Sequence, residues 1–133
     1  MLFHNELKAA VYTKLTSAST FNTNIGGRVV YGFKKEDETY PNCVFNFAEA
    51  NFTFDSGDSY EDTLILINLF DNNHSSGPIG ILESNLVDLL DGYTFTFTNY
   101  TQISLVRQKI KHIKDINFVF NTNIEYRIEV QYK

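Results

Sequence analysis

The sequence holds one cysteine, two prolines and no tryptophan. A single thiol, Cys43, excludes an intrachain disulfide and any zinc site built on several cysteines. Apolar residues nowhere run to the roughly 18 that a membrane-crossing helix needs. The opening MLFHNELKAA lacks a basic region followed by an apolar core, so it does not read as a secretory signal. The expectation is a chain that is cytosolic at synthesis, in which the Asn-x-Ser/Thr matches at Asn51, Asn73 and Asn99 are incidental. Basic residues are missing from a long stretch as well. Between Lys35 and Arg107 there is no Lys or Arg, yet 12 acids fall there. Residues 107–133 then carry six bases and three acids. A chain divided in this way can stack head to tail on itself, one charged face against the other.

What is present points to one domain over residues 1–133, large enough to bury roughly two thirds of its unfolded surface. The aromatic share is 15%, from 12 Phe and 8 Tyr, which favours β structure. Phe3, Leu7, Ala10, Val11 and Leu15 recur at helical spacing and predict an N-terminal amphipathic helix. The Ser-, Thr- and Asn-rich residues 16–24 read as a loop. Gly26-Gly27 then turns into a short strand near 28–32, and the charged residues 34–40 form another loop.

Residues 42–54 read as a strand whose apolar parity flips. Phe45 and Phe47 are odd; beyond Glu49 the apolar positions are Ala50, Phe52 and Phe54. Such a flip marks a β-bulge or a strand serving two surfaces. Asp55–Ser59 turns on Gly57, and residues 60–70 return to complete a long hairpin. That second strand is apolar on both parities, with Leu64, Leu66 and Phe70 on one and Ile65, Ile67 and Leu69 on the other. One domain of this size does not need both faces, so the second face is expected to meet another copy. Phe52, Phe54, Leu64, Leu66, Phe70, Arg107 and Lys109 are the candidate subunit-contact residues.

A second helix is expected after the loop 71–77, capped by Ser76 or Gly77 with Pro78 in its first turn. Its apolar stripe is Ile79, Leu82, Leu86, Leu89 and Leu90, and Gly92 stops it. Tyr93, Phe95 and Phe97 alternate with threonines as a strand would. Residues 102–114 fit a helix or a strand. Ile124, Tyr126, Ile128, Val130 and Tyr132 alternate with polar residues and predict the clearest strand in the chain.

The motifs of catalysis are weak. Asp55, Asp58, Glu61 and Asp62 cluster around the hairpin turn, but their spacing is not that of a calcium loop. Cys43 sits inside an apolar strand, where a thiol is inert. His4, His74 and His112 are scattered and form no metal-binding pair. No catalytic residue, metal or cofactor is expected. Arg107, Lys109, Lys111 and Lys114 form a basic run; as a strand, its first three residues would share a face able to meet phosphates. A small nucleic-acid-binding module using Arg107–Lys114 is therefore the alternative reading.

The order of elements resembles a known family. G-G-R-V-V-Y (Gly26–Tyr31) follows the first helix, and Y-P-N-C-V-F-N-F (Tyr40–Phe47) enters the long strand. A central helix ends at Asp91-Gly92, and Y-R-I-E-V-Q-Y (Tyr126–Tyr132) closes the chain. In this it is similar to the tail-completion proteins of long-tailed bacteriophages, also called tail terminators or head-to-tail joining proteins. The resemblance spans nearly the whole chain, rests on order and spacing, and departs over the Asn- and Lys-rich residues 99–123.

It implies an α+β fold, a twisted antiparallel sheet with a long hairpin and two α-helices packed on one face. It favours a strand over 102–114. It also implies a hexameric ring at the head–tail junction of a virion, assembled in the host cytoplasm. The partners implied are further copies of the chain, the tail tube protein and the head-completion (connector) protein, with DNA passing through the lumen. Under that reading Asp55, Asp58, Glu61 and Asp62 are lumen-facing candidates that repel phosphates. No membrane partner and no catalytic residue come with the family.

Overall fold

The computed structural model describes residues 3–33, 39–73, 75–114 and 119–133. Most of the expected loop at 34–40, and His74, lie outside the described residues. The element order is α1 (Phe3–Leu15), α2 (Thr20–Ile25), β1 (Val29–Tyr31), β2 (Asn42–Asp55), β3 (Asp58–Asp71), α3 (Gly77–Leu90), β4 (Tyr100–Lys114) and β5 (Phe120–Tyr132). The strands form one five-stranded sheet in the order β1-β2-β3-β5-β4. Every neighbouring pair is antiparallel except the short β1–β2 pair, which is parallel. This is the α+β architecture expected.

The helices form by burying one stripe each. Phe3, Leu7, Val11 and Leu15 of α1 are one turn apart and fully enclosed. Ile79, Leu82, Leu86 and Leu90 do the same for α3. Both stripes join one core with Cys43 and Phe45 of β2, Ile65, Ile67 and Leu69 of β3, and Ile124, Tyr126, Ile128 and Val130 of β5. Each such side chain contributes roughly 1.5–3 kcal/mol of burial, as an upper bound. The core residues alternate along the strands, so the helices cover one face of the sheet and leave the other without a helix.

Two expectations need correction. Residues 16–24 are not all loop: Ser19 accepts a hydrogen bond from the Asn22 backbone N–H and caps α2, which buries Phe21 and Ile25. A six-residue helix is too short for periodicity to announce. Residues 93–98 are not a strand, although Phe95 and Phe97 are buried as their alternation required. Side chains take the place of a partner strand there. Gln102 accepts from the Phe95 N–H at 3.0 Å and donates to the Tyr93 carbonyl at 2.9 Å. Glu6 of α1 accepts from the Thr98 N–H at 2.6 Å. The segment meets its hydrogen bonds outside a ladder, as any buried backbone must.

Residues 102–114 lie in a strand, β4, which forms an outer edge of the sheet opposite β5. Ser76 precedes α3 but its side chain makes no capping bond, and Pro78 stands in the first turn.

Candidate subunit interface

The far end of the β2–β3 hairpin is an exposed arm, with every β2 residue from Glu49 to Asp55 open to solvent. Its pairing runs from Asn42↔Phe70 to Asp55↔Asp58. The turn holds two residues, Ser56 and Gly57, with φ of 49° and 87°. Positive φ at both positions is the type I′ geometry that matches strand twist. The expected parity flip is a bulge. The register shifts between Ala48 and Ala50, and Glu49 takes a φ of 57°. The extra residue returns Ala50, Phe52 and Phe54 to the face that carries the helices. The helices do not cover this part of the strand: Phe52 is 59% and Phe54 78% exposed. Two large aromatics at the end of an arm are uncovered by the chain's own core.

The helix-free face carries the second apolar row. Leu64, Leu66 and Phe70 alternate with the core residues of β3 and remain half-buried, with Asp62 in the same row. Val106 and Ile113 of β4 are exposed there.

The four carboxylates grouped by the sequence are divided by the sheet. Asp55 and Asp58 sit directly opposite one another at the tip, both exposed. Asp62 shares their face and is held in a close ion pair with Arg127, whose other nitrogen lies 3.4 Å from Glu49. Glu61 is on the helix-bearing face and only 7% exposed. Its Oε2 is buried without a hydrogen-bond partner. Burial, and then the nearby Asp62 charge, push its carboxyl above the usual range. It lines a cleft of about 190 Å³ with His4, Phe47, Glu49 and Phe52. The four groups therefore do not converge on one point, as a shared metal ion would require.

The basic run is divided too, which corrects the expectation that Arg107, Lys109 and Lys111 share a face. β4 has bulges between Gln102 and Ser104 and between Arg107 and Lys109. Arg107 pairs with Tyr126 on the helix-bearing face and reaches Asp91 at 3.5 Å. Lys109 and Lys111 stand opposite Glu125 and Asn123 on the helix-free face. His112 returns to the helix side, 2.7 Å from Glu83 of α3. One inserted residue, Gln108, breaks the phosphate-facing row.

Three residues organise this region through partners that the sequence did not announce. Arg127 bridges Asp62 and Glu49, fixing the bulge where the arm begins. Tyr126 is buried and donates to Asp91 at 2.7 Å; burial first, and then that bond, raise its phenol pKa. Glu6 ties α1 to the segment before β4. Each acts across the sequence, and only the alternation that buries Tyr126 was legible locally. Burial also pushes the Cys43 thiol up, consistent with an unreactive core residue.

No protein-family model matches the chain, and no curated protein matches it. Among solved structures, a chain described as "Virion of native gene transfer agent (GTA) particle" has a similar fold, with a TM-score of 0.81 and 13% sequence identity. The match covers 96% of each chain. At that identity the likeness is one of fold.

Proposed function

We propose that this chain is a non-enzymatic structural protein of a phage-like particle. It forms a ring at the head-proximal end of the tail, caps the tail tube and joins it to the head connector, with DNA passing through the lumen. The observation that carries this reading is the end-to-end likeness of fold to a chain of a gene transfer agent virion. The exposed arm supports it independently. Phe52 and Phe54, with Leu64, Leu66 and Phe70 on the helix-free face, are more apolar β surface than one copy covers. Stable contacts between subunits bury on the order of 800 Å² per partner, and these side chains would form the apolar part of such a contact. Six copies, the tail tube and the connector are the partners this reading names.

The nucleic-acid module has less support, because the bulge at Gln108 sends Arg107 and Lys109 to opposite faces. Electron microscopy of particles carrying a tagged copy of this chain tests the proposal. Label at the junction of capsid and tail is expected. Label along the tail shaft, over the capsid shell or absent from particles contradicts it.

A further inference from the structure

The sheet has two open edges. Beyond Phe45, the last β2 residue paired with β1, no described strand covers the outer side of β2. The outer side of β4 is likewise uncovered among the described residues. Long bare edges normally invite pairing with another chain and are blunted where that is harmful. These edges differ in charge. The arm ends in Asp55 and Asp58, whereas β4 carries Lys109 and Lys111, with no ion pair to either lysine among the described residues. Asp55 and Asp58 are also like charges in direct cross-strand opposition, an unfavourable pair that a cation between them relieves.

We propose that the arm edge of β2 in one copy adds as an antiparallel strand to the β4 edge of a second copy, with Asp55 opposite Lys109, Lys111 diagonal to it and Asp58 adding its charge from the next strand. The direction follows from the topology. β2 and β5 run the same way and β4 runs against them, so copies placed side by side, helices on the same side, bring β2 against an antiparallel β4. The register follows from β1. Phe45, Ile67, Ile124 and Ile110 lie in one row across the sheet. A neighbour docked level would therefore drive its β1, beside Phe45, into β4 at Ile110. The neighbour has to slide along the strands.

Setting Asp55 opposite Lys109 achieves this. Each step back along the arm is a step forward on β4, so Phe45 falls beyond Lys114, the last residue of that strand. The same register puts Phe54 beside Ile110 and Phe52 beside His112, all on the helix-bearing face. Charge and apolar match favour this alignment, which also keeps the neighbour's β1 off β4. The contact joins two different edges, so it repeats head to tail and closes into a ring when the rotation allows. It assigns Asp55 and Asp58 to the joint rather than to a channel wall. It rests on reading the chain as an assembling subunit.

Two variants of the full chain test it by sedimentation velocity. Asp55→Lys with Asp58→Lys reverses the arm, and Lys109→Glu with Lys111→Glu reverses the edge; all four side chains are exposed, so the fold should survive. The wild-type chain is expected to associate with rising concentration. Each variant alone should associate roughly tenfold more weakly or worse. An equimolar mixture should recover wild-type association, because each altered surface then finds its complement. Wild-type association by either variant alone, or a mixture that does not recover, overturns the joint while leaving a ring with other contacts intact. A wild-type chain that stays at its 15.3 kDa monomer mass up to millimolar concentration also overturns it, and labelled particles then judge the ring by themselves.

Discussion

Single residues carry charge that the fold of one copy leaves poorly matched. Glu61 is the sharpest case: a carboxylate with a buried, unpartnered oxygen beside Asp62. Its folded pKa lies above its unfolded one. In the pH window between those two values the folded chain binds more protons, so stability falls as pH rises through it. Glu61→Gln should therefore stabilise the monomer at neutral pH by on the order of 1 kcal/mol, through loss of the uncompensated charge. The gain should vanish in acid below the ordinary carboxylate pKa. Urea unfolding at both pH values measures this; an equal gain at both would show that charge is not the cause. Tyr126 is the converse, a buried phenol with its bond to Asp91 made. Tyr126→Phe should cost about 1–2 kcal/mol in the same assay, since among the described residues the Asp91 carboxylate then keeps only Arg107.

At the scale of elements, turns and bulges decide which face each side chain serves. Gly57 has a φ of 87° and nothing near its missing side chain, so Gly57→Ala meets only the backbone penalty, about 1 kcal/mol. Ser56, at a φ of 49°, should gain a few tenths of a kcal/mol on replacement by Asn, which tolerates that conformation. Thermal unfolding of the two variants should move in opposite directions. Gln102→Ala should speed hydrogen exchange at the Phe95 amide far more than at Ile67, since only the former depends on that side chain. Unchanged exchange at Phe95 would show that another group holds the segment.

The long elements were legible because their apolar periods are strong. The α1 stripe, the hairpin, the α3 stripe and β5 stand where the pattern put them, and the flip at Glu49 announced its own bulge. The bulge at Gln108 was hidden, because a run of alternating charges looks the same whether or not one residue is extra. The segment 93–98 showed its buried face but not its missing partner, since alternation reports burial and not hydrogen bonding. The four tip carboxylates looked like one group because sequence proximity says nothing about which side of a strand a residue takes.

For the whole molecule, the arm and the β4 edge are uncovered in one copy, and the proposed joint covers both. Hydrogen–deuterium exchange across a concentration series that spans association tests this most directly. Backbone amides of Ala50–Asp55 and of the β4 edge should become protected together as the assembly forms, while the core strands stay unchanged. An assembly in which the arm still exchanges as fast as in the monomer would contradict the account.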